Sequence, residues 1–317
     1  MNLPGPTIRD RRLAEAGVLA VMGFWAGNFI AIKSALDVFP PVAFTFLRFA
    51  LACLILLGTL RWREGTIGVK RRDLPALIVL GILGYGLYQI LWTSALGGIS
   101  AGDSAVLIST APVMTALLAV ALGTDSLSPT KLLGAVTSFA GVVVVITAGA
   151  GLDLAGDIGL YLVTLLAAAC WATYSAFGAV ILRTNSPLRA TTWATLVGTA
   201  VMAVPGLLQL STVDPAAVGS IDVLAIVYSG TLAAGLGNVI VLHGVGLLGP
   251  TRVTALQFLV PPLAVVLAFA VLGEPIRPAQ ILGGAIIIAG VGLTRLGPRR
   301  GDDRGQLVSV ESGANSR

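Results

Sequence analysis

Ten uninterrupted apolar runs, near 16–36, 40–60, 74–96, 100–122, 131–148, 157–182, 188–210, 221–247, 251–272 and 278–295, restrict this chain to a lipid solvent. Most reach the ~18–25 residues with which a helix crosses ~30 Å of hydrocarbon. Backbone N–H and C=O groups inside lipid must be satisfied within their own segment or around a closed barrel. Continuous runs, rather than dyad alternation, select helices. Charged residues make up only 11% of the 317, against ~25% in a soluble domain, too few to cover a water-facing surface. The first run is too long for a signal-peptide core and no small-residue cleavage site follows it, so it is expected to stay as an anchor.

The basic residues fix a direction. With the N-terminus in the cytoplasm, the inner positions collect Arg9, Arg11, Arg12, Arg61, Arg63, Lys70, Arg71, Arg72, Lys131, Arg183, Arg189, Arg252, Arg295, Arg299, Arg300, Arg304 and Arg317, seventeen of the twenty Lys and Arg. This is the asymmetry that retains cationic loops inside. Arg277 alone falls outside, Lys33 and Arg48 fall within spans, and the outer loops carry Asp37, Asp153, Asp157, Asp214, Asp222 and Glu274. Miscounting one helix would scramble the sorting, so it supports ten spans with both termini cytoplasmic. The net charge of +5 therefore needs no nucleic-acid partner. Cys53 and Cys170 lie inside apolar runs and form neither a disulfide framework nor a metal spacing; packing is the role expected of them, and no cofactor is expected. The polar stretch 297–317 reads as a disordered cytoplasmic tail.

Two stretches repeat one pattern. STAPVMTALLAVALGTDSLSPTKLLGAVTSFAGV at 109–142 aligns with LVPPLAVVLAFAVLGEPIRPAQILGGAIIIAGV at 259–291, placing Pro112 on Pro262 and Gly123 on Gly273. After a one-residue slip, Pro129 falls on Pro278, Gly134 on Gly283 and Gly141 on Gly290, while Trp25 in FWAGNF matches Trp171 in CWATYS. Five helices per half is an odd number, so the second half must enter the membrane inverted, as in many secondary transporters. The expected organisation is a cytoplasmic N-terminus (1–13), a first five-helix repeat (14–148), a second (149–296) and the tail.

The opening WAGNFIAIKSAL, the PPVAFTFLRF that follows, and the two Pro-containing helices that end in LG and lead to a glycine-patterned last helix resemble the ten-helix EamA-type members of the drug/metabolite transporter superfamily. The resemblance spans residues 14–296, and its motifs define the fold better than the substrate. It implies export of amino acids, related metabolites or drugs from the bacterial cytoplasm across the inner membrane, with the nearest similarity to aromatic amino-acid exporters. Arg48 matches a hallmark of that family. One departure is that Glu274 follows the second LG, where the first is followed by Thr124 and Asp125.

Candidate site residues come from helical spacing. Tyr85, Tyr88, Gln89 and Trp92 stand at i, i+3, i+4 and i+7 and share one face. Polar-tipped aromatics in mid-helix can line a cavity, giving apolar area and hydrogen bonds to a small-molecule substrate; core packing is the alternative. Trp25, Asn28 and Phe29 share a face of the first helix, echoed by Trp171, Tyr174 and Ser175 in the sixth. Asn28 and Asn238 are amides within spans, suited to substrate contact or to joining helices. Pro112, and Pro261 with Pro262, each remove an amide donor in mid-helix and free the carbonyls of Ile108, Gln257 or Phe258. Such paired breaks point to a midplane site or hinge. Gly23, Gly27, Gly235, Gly237, Gly283 and Gly284 are expected at close helix contacts.

Charged candidates are few. Lys33 can snorkel or pair with Asp37, and Arg48 can meet a carboxylate or tie its helix to carbonyls or to Asp103. Asp103 stands at the outer start of the fourth helix, and His243 near the inner end of the eighth. No carboxylate lies deep in a span, so facilitated transport is expected, with proton coupling the alternative. A rival reading is an intramembrane serine hydrolase. GISAG at 98–102 fits the nucleophile-elbow pattern, with Ser100 as nucleophile and His243 as base. But these two sit at opposite membrane faces, while proton transfer requires ~3 Å contact.

Overall fold

The computed structural model describes residues 7–122, 128–149, 158–181, 184–248, 253 and 256–296, and the secondary structure there is helical, with no strand among the described residues. Thr124, Asp125, Asp153, Asp157, Arg183, Arg252 and the tail from 297 lie outside them. The apolar elements are α1 (Ile8–Ala35), α2 (Pro41–Glu64), α3 (Arg71–Leu96), α4 (Ala101–Ile108 continuing as Ala111–Ala121), α5 (Pro129–Gly149), α6 (Ile158–Ile181), α7 (Pro187–Leu210), α8 (Ser220–Tyr228, Ser229–Leu236 and Gly237–Leu248), α9 (Gln257–Leu272) and α10 (Pro278–Leu296). Seven of them, α1 to α4 and α6 to α8, are long and apolar enough to cross a bilayer, whereas Pro129–Val145, Gln257–Leu272 and Pro278–Leu293 are shorter apolar helices. The protein is thus an all-helical, multi-pass membrane protein.

Local chemistry sets the helix ends. Thr7 opens α1 by accepting the Asp10 N–H at 3.2 Å, and the Asp10 carboxylate accepts the Thr7 N–H at 2.9 Å, so two orphan donors are satisfied reciprocally. Pro41, Pro187 and Pro278 each begin a helix, where a missing N–H costs nothing. Gly65 after α2 and Gly273 after α9 turn the chain at φ of 70° and 68°, a left-handed backbone that other residues adopt only with strain.

Inter-helix contacts order the two ends of the bundle. On the face where α1 begins, the end of α2 meets the start of α7 through Glu64 with Ser186 and with Arg189 at 2.8 Å, and Asn185 donates to Asp73 at 2.9 Å. On the opposite face, the end of α1, the starts of α4, α6 and α10, and the turn after α9 converge around Lys33, Asp103, Tyr161, Gln280 and Glu274. There too, the Gln209 side chain of α7 accepts the Val42 and Ala43 N–H groups at the start of α2.

Helices α5 and α10 pack antiparallel at backbone contact. A Cβ on Gly141 would stand 2.6 Å from the Gly283 carbonyl oxygen, and one on Gly290 would stand 2.5 Å from that of Gly134. Ser138 adds a hydrogen bond to the Ile287 carbonyl at 3.1 Å. In lipid, where hydrophobic burial drives little association between helices, such small-residue contact supplies the packing. Gly27, Gly235 and Gly237 are tightly packed as expected, but Gly284 is in ordinary contact and Gly23 has no atom within 4 Å of its would-be side chain.

Four helices depart from the uniform geometry implied by their apolar runs. α3 contains a π-helical stretch, Ile82–Leu87; α8 contains another, Ser229–Leu236; and α9 begins with a 3-10 turn and ends in a π stretch. α4 is broken at Ser109 and Thr110, just before Pro112. Widened turns leave carbonyls without regular partners and recur at functional sites.

Candidate functional site

A cavity of about 220 Å³ lies among α1, α2, α3, α4, α6, α8 and α9. Trp25, Asn28 and Phe29 come from α1, Arg48 and Phe49 from α2, Tyr85, Tyr88, Gln89 and Trp92 from α3, and Trp171 from α6. α4 contributes Ala105, Ile108, Ser109, Ala111 and Pro112; α8 contributes Ala233, Ala234 and Asn238; α9 contributes Gln257, Phe258, Val260 and Pro261. Toward the opposite face the lining is fully buried, with Phe29, Trp92 and Ala105 at 5%, 4% and 2% exposure. Toward the N-terminal face Ile108, Pro112, Asn238, Gln257 and Phe258 are half-buried.

The aromatic wall is continuous. Tyr88 stacks parallel to Trp92 with ring centroids 5.9 Å apart, Trp171 lies 5.3 Å from Tyr88, and Phe29 meets Trp92 edge-on at 5.0 Å. The glycines of the π stretch in α3 make this possible. Tyr174 lies against Gly84, and Tyr85 presses on Gly198 of α7, each where a Cβ would stand within about 2.5 Å.

Polar groups reach the cavity through the widened turns. The Trp25 indole donates to the Ala233 carbonyl at 3.0 Å, and the Asn238 amide donates to the Ala234 carbonyl at 2.6 Å, both carbonyls in the π stretch of α8. Arg48 is 2% exposed. Its guanidinium donates to Gln89 Oε1 and, at 3.2 Å, to Ser229 Oγ, which in turn donates to Asn28 Oδ1 at 2.5 Å. The ring of Phe49 lies 4.6 Å from the guanidinium carbon, a stabilising cation–π distance. α8 approaches so closely here that a Cβ on Gly230 would stand 2.6 Å from the Arg48 carbonyl oxygen.

Several expectations are corrected. Tyr174 contacts Tyr85 and Trp171 but lines a second cavity with Leu77, Ile181 and Thr191 rather than the central one. Pro261 lines the cavity, as Pro112 does, whereas Pro262 is exposed on the outside of α9. Arg48 does not reach Asp103. That carboxylate is 1% exposed and accepts from Tyr161 at 2.9 Å, Gln280 at 2.8 Å and Arg277 at 3.4 Å, away from the cavity lining. Lys33 pairs with Glu274 at 2.8 Å instead of Asp37, and Glu274 also accepts the Ala101 N–H at 3.0 Å, capping α4. His243 is exposed on α8 and makes no hydrogen bond to Ser100, whose hydroxyl accepts from Asp103 N–H and from Gln280.

Some lining residues escaped sequence reasoning. Ser109, which lines the cavity, and Ser229, which braces Arg48 from behind the lining, are small polar residues inside apolar runs, with no spacing that separates them from packing serines. Phe49 and Phe258 are signalled only by their neighbours, Arg48 and the Pro261 break.

An aromatic-walled cavity among apolar helices of this length can hold a small solute within the membrane. The EamA-like transporter family profile matches twice, at residues 12–147 and 158–296. The chain belongs to that family. It is 30% identical to an uncharacterized transporter of Archaeoglobus fulgidus over 86% of this chain and 94% of the other. It is also 30% identical to a probable terminal-alkyne amino-acid exporter of Streptantibioticus cattleyicolor, over 87% and 92%. A probable amino-acid metabolite efflux pump of Salmonella typhimurium is 26% identical over 89% and 94%. A solved crystal structure superposes with a TM-score of 0.64, covering 90% of this chain and 98% of that one at 22% identity, a likeness of fold.

Proposed function

We propose that this chain exports small amphipathic metabolites, neutral or aromatic amino acids foremost, across a bacterial inner membrane by alternating access. The carrying observation is the cavity itself, lined by eight aromatic side chains and, among the described residues, by a single charged one, Arg48. Apolar area on Trp25, Tyr88 and Trp171 suits a side chain. The carbonyl of Ile108, deprived of its i+4 donor by Pro112, suits an ammonium group. The amino-acid exporter and the efflux pump among the similar proteins support the same substrate class.

The two halves, 14–148 and 149–296, are read as inverted five-helix repeats with cytoplasmic termini. In support, the family profile matches each half separately. Both α3 and α8 contain a π stretch, and both α4 and α9 a proline break, at equivalent positions of the two halves. With the N-terminal face cytoplasmic, the half-buried part of the lining faces inward and the Lys33–Glu274 cluster closes the outer side.

Flux follows the substrate gradient without a stoichiometric proton, since no carboxylate or histidine lines the cavity among the described residues. Counterflow of labelled amino acids in proteoliposomes tests this reading. Phenylalanine, tryptophan and leucine exchange is expected to saturate, with polyamines failing to compete; no exchange of any amino acid would refute it.

A further inference from the structure

Arg48 carries a charge that no carboxylate among the described residues balances. It is buried, lies within the membrane-spanning part of α2, and forms no ion pair with a carboxylate among the described residues. Its contacts are the neutral Gln89 and Ser229 and the faces of Phe49 and Trp92, the latter 5.8 Å from the guanidinium carbon. Its Nε–H has no hydrogen-bond partner. A buried, uncompensated cation is costly by several kcal/mol at least, roughly the effective penalty per ion in real proteins. Where such a charge persists in a membrane it marks a substrate or ion path.

The surrounding hydrogen bonds have a forced polarity. Arginine only donates, so Gln89 must offer its oxygen, which leaves its NH2 group as a further donor. Ser229, having accepted from Arg48, passes its own proton to Asn28 Oδ1, and this leaves the Asn28 NH2 group free as well. Neither amide nitrogen has a protein partner among the described residues, and both residues line the cavity. A fixed positive charge, flanked by two donors of the same polarity on a dry aromatic wall, lacks an acceptor with negative charge.

We infer that Arg48, with Asn28 and Gln89, is the receptor for a substrate carboxylate, so that the carried molecule supplies the counter-ion that the protein omits. The inference rests on the central cavity being the transport site and narrows the substrate to compounds bearing a carboxylate beside an apolar body. Gln89 and Ser229 hold the guanidinium in place, and Trp92 and Tyr88 stack beside it to receive the body.

The test compares phenylacetate with phenylacetamide, which share a shape and differ in charge, binding to the purified full-length protein in lipid nanodiscs. The readout is tryptophan fluorescence, since Trp25, Trp92 and Trp171 line the cavity. Hydrogen bonds to charged groups are worth ~1.5–3 kcal/mol, so the acid should bind about tenfold to a hundredfold more tightly. In Arg48→Gln the ratio should fall to about one, while Arg48→Lys should keep part of it, as a point charge without the planar fork. Equal binding of acid and amide to the wild-type protein, or no binding of the acid, overturns the assignment without needing any variant to fold. A preference that survives in a folded Arg48→Gln protein does so too. Acid-selective binding without amino-acid exchange in proteoliposomes would uphold Arg48 and overturn the amino-acid reading; saturable exchange with equal acid and amide binding would do the reverse.

Discussion

Glu274→Gln isolates the cluster that closes the bundle on the face opposite the N-terminus. The Glu274 carboxylate lies 2.8 Å from Lys33 Nζ and 3.0 Å from the Ala101 N–H, so one side chain ties the turn after α9 to the end of α1 and the start of α4. The side chains of Lys33 and Glu274 are 26% and 17% exposed. Glutamine keeps an acceptor for Ala101 and loses the charge that holds Lys33. Hydrogen bonds to charged groups contribute ~1.5–3 kcal/mol when buried, and partial exposure lowers this to about 1–2 kcal/mol. If the cluster is formed only while that face is closed, its loss shifts the open-to-closed ratio by about 5- to 30-fold. The assay places a single cysteine at Ala105, a cavity residue only 2% exposed, in a Cys53→Ser, Cys170→Ser background. Labelling by a membrane-impermeant maleimide from the outer side should accelerate by that factor in Glu274→Gln, and similarly in Lys33→Met. Unchanged rates in both variants would refute the gate, because the contacts would then persist in both states or matter to neither.

Three further outcomes follow from the packing and the cavity. Gly141→Ala should cost about 1–3 kcal/mol through overpacking, because its new methyl meets the backbone of α10 at 2.6 Å; Gly23→Ala, with open space around it, should leave the denaturation midpoint unchanged. Trp171→Ala and Tyr88→Ala should each weaken competition by aromatic amino acids more than by alanine in counterflow, with folding intact. With equal substrate on both sides of a proteoliposome, an imposed pH gradient should drive no net uptake; uphill uptake that disappears in Asp103→Asn would establish proton coupling instead.

What could be read from the chain alone followed from its solvent. Lipid forbids unsatisfied backbone over a span, so the apolar runs fixed helix positions, and the helices indeed begin and end close to those runs. The same logic made Arg48, Asn28 and the α3 aromatic stripe visible, since polar or polar-tipped residues in such runs are rare and have to be accommodated inside the bundle. Partners across helices were another matter. Lys33 had a plausible mate one turn away in Asp37, yet the fold offered Glu274, 241 positions further along the chain. Asp103 and Arg48, both buried and of opposite sign, were kept apart by separate partners, Tyr161, Gln280 and Arg277 for the one and Gln89 and Ser229 for the other. Pro261 rather than Pro262 faces the cavity, although the alignment of the two halves places Pro112 on Pro262. Tyr174 was turned into a second cavity by the π stretch facing it. Helical period and transfer energy are properties of a segment and so are written in the sequence, whereas counter-ions, hydrogen-bond partners and the local winding of a helix depend on which backbone comes within a few ångströms, and that is settled only when the helices pack.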